Sequence, residues 1–142
     1  MIPEGKLYSD KKRNPGEIAS HYPVFTDSHV AEGDVPFGRV VVRGSETGKA
    51  KIINSAADKV LGICAFSFEA SALSLLKHLT GDPMGAVRQG IVIAEVEETV
   101  LAGDTVRVRL AEDSTAGYQE WGFSAAKTEA SASGLANDTT KY

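Results

Sequence analysis

The sequence predicts an all-β domain, a sandwich or a barrel, with one short inserted helix and extended terminal arms. Three observations support this prediction. Short segments rich in β-branched residues recur along the chain, and turn residues separate them. One of these segments alternates between apolar and polar residues, which is typical of a strand with one buried face. Helical spacing occurs in only one stretch, whereas a parallel α/β fold needs a helix between successive strands.

Five strand candidates can be placed in order along the chain. They are predicted at 39–43, 50–54, 60–66, 87–96 and 105–110, with a weaker one at 120–124. The segment 60–66 is apolar throughout, as a strand buried on both faces would be. Just before the first candidate, Gly38 is expected to allow a bend or the close approach of another backbone.

The segment 105–110 is the clearest strand candidate. Its apolar and polar positions alternate in the order Thr105, Val106, Arg107, Val108, Arg109 and Leu110. This pattern predicts that the valine face is buried and that the arginine face lies in solvent. The turn residues Gly103 and Asp104 are expected to join this strand to the one at 87–96 as a hairpin.

The stretch 68–79 fits a helix of about three turns, an average length for a globular protein. Its apolar residues fall at helical spacing, and Ser67 can cap its start. Lys77 and His78 suit the last turn, because cations are favourable at a helix C-terminus. Pro83 is expected to mark the end of the segment.

The composition is that of a single globular domain. The chain has 142 residues, of which 42% are hydrophobic and 24% are charged, and its formal net charge is -4. The negative balance argues against nucleic acid as a partner, since nucleic-acid-binding proteins usually carry a strong basic patch. No apolar run approaches the roughly 20 residues of a membrane-spanning helix, and the N-terminus lacks the apolar core of a signal peptide.

Polar segments flank the predicted β domain. We expect an extended N-terminal arm at 1–22, the β domain at 23–127 and a polar tail at 128–142. The arm contains a cluster of cations, namely Lys6, Lys11, Lys12 and Arg13. Such an arm is either simply solvated or docks on an acidic surface of a partner.

The candidate catalytic groups each have a simpler structural explanation. Cys64 lies among apolar residues with no histidine nearby in sequence, so we expect a small buried side chain. Glu95 and Glu97 are expected at a solvated strand end, where charges discourage edge-to-edge pairing. We therefore predict no catalytic residue, no metal site and no cofactor. A small hydrolase using His21 or His29 with these glutamates is the least favoured alternative.

Several segments are distinctive in their residue order. The longest is 31–41, Ala-Glu-Gly-Asp-Val-Pro-Phe-Gly-Arg-Val-Val, and it follows Asn-Pro-Gly-Glu-Ile-Ala at 14–19. Later segments, in consistent order, are 60–63, 89–92, 100–106 and 122–123. Together these segments resemble the structural cement proteins that decorate the capsids of tailed phages.

The resemblance implies a non-enzymatic, jelly-roll-like β domain on the outer surface of the virion capsid. It also implies contacts with the major capsid protein across the joints between capsomers, and self-association. We expect a homodimer, because closed twofold pairing is the commonest form of self-association. The chain lacks a clear apolar closing strand, so a partner subunit or the N-terminal arm could complete the sheet by strand addition. A tail or receptor-binding accessory module is the alternative function.

The sequence also suggests where the capsid contacts lie. The basic arm is the first choice, and the two arginines that bracket 39–43 are the second, since they fall on the same face of that predicted strand. The predicted contact residues are Leu7, Tyr8, Lys11, Lys12, Arg13, Arg39 and Arg43.

Overall fold

The computed structural model describes residues 13–19, 23–68, 76–97, 99–110 and 121–125 as a closed five-stranded β-barrel with two small accessory sheets. The strands are β1 (Phe25–Ala31), β2 (Val35–Pro36), β3 (Val40–Arg43), β4 (Lys49–Ile52), β5 (Val60–Cys64), β6 (Lys77–His78), β7 (Pro83–Gln89), β8 (Val106–Val108) and β9 (Phe123–Ala125). The all-β prediction is confirmed, and the barrel is the form observed. The predicted tail lies outside the described residues, and the division into arm, domain and tail stays a prediction.

The barrel has the strand order β1-β4-β3-β5-β7 and closes through β7 and β1. The β1–β4 pair is parallel, and the other four pairs are antiparallel. Closure gives each barrel strand two hydrogen-bonded neighbours. The barrel therefore presents no open edge for non-specific pairing with another chain.

Two hydrophobic cores lie on opposite faces of β3. Val41 belongs to an inner core that includes residues from all five barrel strands: Ala31, Val35, Phe37, Ala50, Cys64, Met84 and Ala86. Val40 and Val42 point the other way, because successive side chains of a strand alternate. They form an outer core with Ile53, Val108 and Phe123. The run of three valines is buried on both faces because β8 and β9 cover the barrel at this point.

The predicted hairpin between 87–96 and 105–110 is wrong. Only the beginning of 87–96 lies in a strand, since β7 ends at Gln89, and the rest makes isolated bridges at Val92 and Val96. β8 pairs with β9 instead, in an antiparallel register that places Val108 opposite Phe123.

The C-terminal part of the segment 68–79, which the sequence predicts as helix, is not helical. Lys77 and His78, expected in its last turn, form β6 and pair with β2, and Pro83 begins β7. His78 is buried and packs edge-on against Phe37, with ring centroids 5.0 Å apart, so the β2–β6 pair covers the inner core. Most of the predicted helix lies outside the described residues. Within the described part of the chain, no helix is long and apolar enough to cross a membrane.

A short N-terminal segment is bound to the body of the domain. Residues 14–17 form a turn in which Gly16 has a φ of 84°, and its Pro-Gly centre is typical of a type II turn. The backbone N–H groups of Gly16, in the turn, and of Ala19, beyond it, donate to the carbonyl oxygens of Ile93 and Ile91, each at 2.8 Å. Residues 14–19 are thus anchored to the extended segment that follows β7.

Candidate functional site

Glu97 and Arg109 form a buried ion pair next to β8 and β9. The Nε of Arg109 donates to Oε1 of Glu97 at 2.9 Å and to Oε2 at 3.1 Å. The two side chains are only 7% and 1% exposed, respectively. Both residues were expected in solvent, and this expectation is wrong. The two charges neutralise each other although the residues are 12 positions apart in the sequence. The alternation of polar and apolar residues within one strand cannot reveal a partner outside that strand.

Arg39 is engaged inside the domain, although the sequence suggested it as a capsid contact. Its guanidinium donates to Glu95 at 3.1 Å and to the backbone carbonyl oxygen of Trp121 at 3.0 Å. The Arg39 side chain is 11% exposed. It therefore links the start of β3 to the residues before β9. Arg43, at the end of β3, is exposed and remains available to a partner.

Arg13 is the member of the basic arm that the structure describes. Its side chain is 63% exposed, and its guanidinium lies 3.9 Å from the carboxylate of Glu17. The other predicted contact residues of the arm lie outside the described residues, namely Leu7, Tyr8, Lys11 and Lys12. Arg13 immediately precedes the 14–17 turn and is the first residue of the chain that the structure describes.

The base of the arm is fixed by a close approach of two backbones. A Cβ added to Gly38 would lie 2.7 Å from Cβ of Pro15 and 2.8 Å from the nitrogen of Gly16. On its other side, the carbonyl oxygen of Gly16 accepts a hydrogen bond from the N–H of Phe66 at 2.9 Å. The close approach expected at Gly38 is therefore observed, and it holds the 14–17 turn against the barrel.

An apolar groove opens beside the outer core. Its volume is about 760 Å³, and it lies between β7, the segment 91–96 and the β8–β9 pair. Four of its lining residues are large apolar side chains that are 42% to 51% exposed: Phe25, Ile91, Val96 and Val106. The sequence does not indicate this groove, because 87–96 and 105–110 are predicted to form one hairpin, whereas β8 pairs with β9.

A comparison with known protein families covers almost the whole chain. Residues 8–140 match the model of a family described as structural cement protein (E217 gp24/Pam3 gp6). The chain belongs to this family. The suspected relationship to phage cement proteins is therefore confirmed, and the chain is a structural cement protein of the phage capsid that associates with the capsid shell. No curated relative matches the chain.

Three potential catalytic groups of this cement protein, Cys64, Glu95 and Glu97, have structural roles. Cys64 is buried, as expected, and burial raises the pKa of its thiol to about 12. Glu95 and Glu97 pair with arginines, and no hydrogen bond or ion pair joins them to His29 within the described part of the chain. His21 lies outside the described residues. Among the described residues, no cluster of three His, Cys, Asp or Glu side chains could hold a metal ion. The family itself is a structural one rather than an enzyme family.

Proposed function

We propose that this cement protein binds the outer surface of the phage head and stabilises the contacts between capsomers. Its direct partner is the major capsid protein, its binding unit is a homodimer, and its role is non-enzymatic. Family membership supports the association with the shell. Cementing relies on many contacts repeated over a shell, and multivalent binding raises the overall affinity without any strong individual site.

The fixed base of the basic arm is the observation that carries the proposed contact site. Gly16 is held from two sides, by the barrel at Gly38 and Phe66 and by the carbonyl oxygen of Ile93. The exposed Arg13 immediately precedes the 14–17 turn that contains Gly16. An arm that starts from a fixed point searches a restricted volume, which raises its effective concentration at a neighbouring subunit.

The charge distribution indicates the chemistry of the surface that the arm contacts. The whole chain has a net charge of -4, yet Lys11, Lys12 and Arg13 are consecutive cations. We assign these residues, together with Leu7 and Tyr8, to an acidic surface of the major capsid protein. The exposed Arg43 is a secondary contact in this proposal. Arg39 is left out, because its guanidinium is already engaged with Glu95 and Trp121.

The test is co-sedimentation of the purified protein with assembled, undecorated capsids. The wild type is expected to saturate the shells, and binding should weaken as the salt concentration rises, since exposed charges are screened. The charge reversals Lys11→Glu and Lys12→Glu, combined, should weaken binding by about tenfold or more. The combination of Lys51→Glu and Lys59→Glu changes the net charge equally on the barrel and serves as the matched control.

Two results would contradict the proposal at different levels. A wild type that stays in the supernatant at all protein concentrations would overturn shell binding itself. If the arm variant sediments as well as the Lys51/Lys59 control does, shell binding stands and the assignment of the contact to the arm fails.

A further inference from the structure

The apolar groove is a continuation of the outer core to the surface. Ile63, Ala94 and Phe123 pack in or against the outer core and also line the groove. Among its described lining residues, Arg88 alone is charged. Depletion of charge is typical of the buried centre of a protein–protein interface. The groove is thus suited to large apolar side chains rather than to a polar ligand.

Leu101 forms an exposed apolar knob, and it is close in sequence to Val106, which lines the groove. Leu101 is 70% exposed at the start of a turn that ends at Asp104. The turn is held by two hydrogen bonds, from the N–H of Leu101 to Oδ2 of Asp104 at 2.8 Å and from the N–H of Asp104 to the oxygen of Leu101 at 3.1 Å. Val106, at the edge of the groove, follows Leu101 in the sequence after a short turn. Even a fully extended chain would therefore separate the two residues by at most about 18 Å.

We propose that the groove of one copy receives the Leu101 turn of a second copy, and that two such contacts form the twofold dimer. The inference rests on the homodimer of the proposed function and assigns its interface. A knob and a groove on one chain are self-complementary, and reciprocal insertion closes a pair instead of building a filament. Because the turn is already held by its own hydrogen bonds, little conformational entropy is lost on docking.

Charge and the covering of Leu101 favour a second copy over other occupants. The turn carries the carboxylate of Asp104, and the groove rim carries Arg88, whose side chain is 61% exposed and whose Nε lies 3.7 Å from Oδ2 of Asp27. A small apolar ligand would fill the groove but leave Leu101 in solvent, whereas a dimer covers both. The chain's own C-terminal segment after residue 125 is a poor alternative, since Leu135 is its only large aliphatic residue.

The structure supplies a matched control for the knob. Leu79 begins a second turn of the same pattern, in which its N–H donates to Oδ2 of Asp82 at 2.9 Å and the N–H of Asp82 donates to its oxygen at 3.0 Å. The third residues of the two turns, Gly81 and Gly103, have φ values of 89° and 93°. Leu79 is also exposed, but it does not line the groove.

The self-association of the free protein, measured by sedimentation velocity over a range of concentrations, tests the interface. We expect a dimer for the wild type and for Leu79→Asp. Leu101→Asp and Ile91→Asp should each raise the dimer dissociation constant by about tenfold or more. Circular dichroism and thermal unfolding verify that each variant is folded, and a variant that fails this check is replaced by Leu101→Ala or Ile91→Ala, with the same expectation.

Disulfide cross-linking identifies the contact independently of stability. A mixture of Leu101→Cys and Ile91→Cys proteins should form a cross-linked heterodimer on mild oxidation, and a mixture of Leu79→Cys and Ile91→Cys should not. The native Cys64 is buried and does not compete.

The results that would overturn the knob-and-groove contact differ from those that would overturn shell binding. If both aspartate variants dimerise as tightly as the wild type, or if the Leu79 mixture cross-links equally well, the knob-and-groove contact is overturned while pairing stands. A monomeric wild type at every concentration overturns the interface and the dimer together. Neither result bears on whether the protein binds capsids, which the co-sedimentation experiment decides.

Discussion

Gly16 and Gly38 approach each other so closely that neither position has room for a side chain. A Cβ on Gly16 would lie 2.9 Å from the nitrogen of Gly38, and a Cβ on Gly38 would lie 2.8 Å from the nitrogen of Gly16. Both residues also have positive φ values, of 84° and 72°. The contact joins the N-terminal turn to the start of β3, so the barrel and the base of the arm form one structural unit.

Gly38→Ala should destabilise the protein by about 2–3 kcal/mol, because left-handed backbone strain and a collision with Pro15 and Gly16 act together. The measurement is urea denaturation followed by circular dichroism. Gly48→Ala is the matched control, since Gly48 has a φ of 80° but an added Cβ there would meet nothing within 4 Å. Its cost should be that of the backbone alone, about 1 kcal/mol. If the two variants lose the same free energy of unfolding, the close approach at Gly38 does not contribute to stability.

Glu97→Ala should destabilise the protein by about 3–5 kcal/mol, because it removes the carboxylate to which Nε of the buried Arg109 donates. Removing the acid of an exposed pair, by Glu46→Ala opposite Lys49, should cost less than about 1 kcal/mol. The double variant Glu97→Leu with Arg109→Met should recover much of the loss, since apolar residues of similar size can replace a buried ion pair. Denaturation midpoints that are the same for Glu97→Ala and Glu46→Ala would contradict this account of the pair.

Glu32 should contribute to stability in a pH-dependent way. The backbone N–H and the hydroxyl of Ser45 donate to Oε2 of Glu32 at 2.6 Å and 2.9 Å. These bonds, the backbone one foremost, hold the pKa of Glu32 below its ordinary value of 4.5. Folding therefore favours the charged form, so its contribution is complete above pH 4.5 and is lost as the pH falls through the lowered pKa.

The measurement for Glu32 is the melting temperature of the wild type and of Glu32→Gln across a pH series. The difference between them should be largest near neutral pH and should disappear in strong acid. Glu46→Gln, which removes an exposed carboxylate without these hydrogen bonds, controls for general charge effects. A difference that does not change with pH would rule out the carboxylate as its source.

Cys64 should resist alkylation by iodoacetamide at pH 8 as long as the protein is folded, because its thiol is buried and its pKa is raised to about 12. Labelling should follow the fraction of unfolded protein as urea is added. Leu79→Cys introduces an exposed thiol that should react promptly under the same conditions. Rapid labelling of Cys64 in the native wild type would contradict the burial on which this prediction depends.

The strands that are indicated by their own residues, independently of distant contacts, were predictable from the sequence. β3, β4 and β5 lie within two residues of the predicted bounds, because runs of β-branched and apolar residues between turns indicate strands regardless of what they contact. The buried nature of Cys64 and the close approach at Gly38 follow from their immediate neighbours in the same way.

The features that depend on distant partners were not predictable. Lys77 and His78 fit the end of a helix locally, but pairing with Val35 and Pro36 makes them a strand. Arg109 occupies a polar position in an alternating strand, but Glu97 allows it to be buried. The apolar groove and the knob at Leu101 could likewise be recognised only once β8 was seen to pair with β9.

A cryo-EM map of undecorated capsids incubated with the purified protein tests the central claim most directly. The predicted result is additional density for the barrel on the outer surface of the shell, bridging neighbouring capsomers, with the basic arm in contact with the major capsid protein. Shells without added density, or density confined to the tail or to the inner surface of the capsid, would contradict the claim that this protein cements the head from outside.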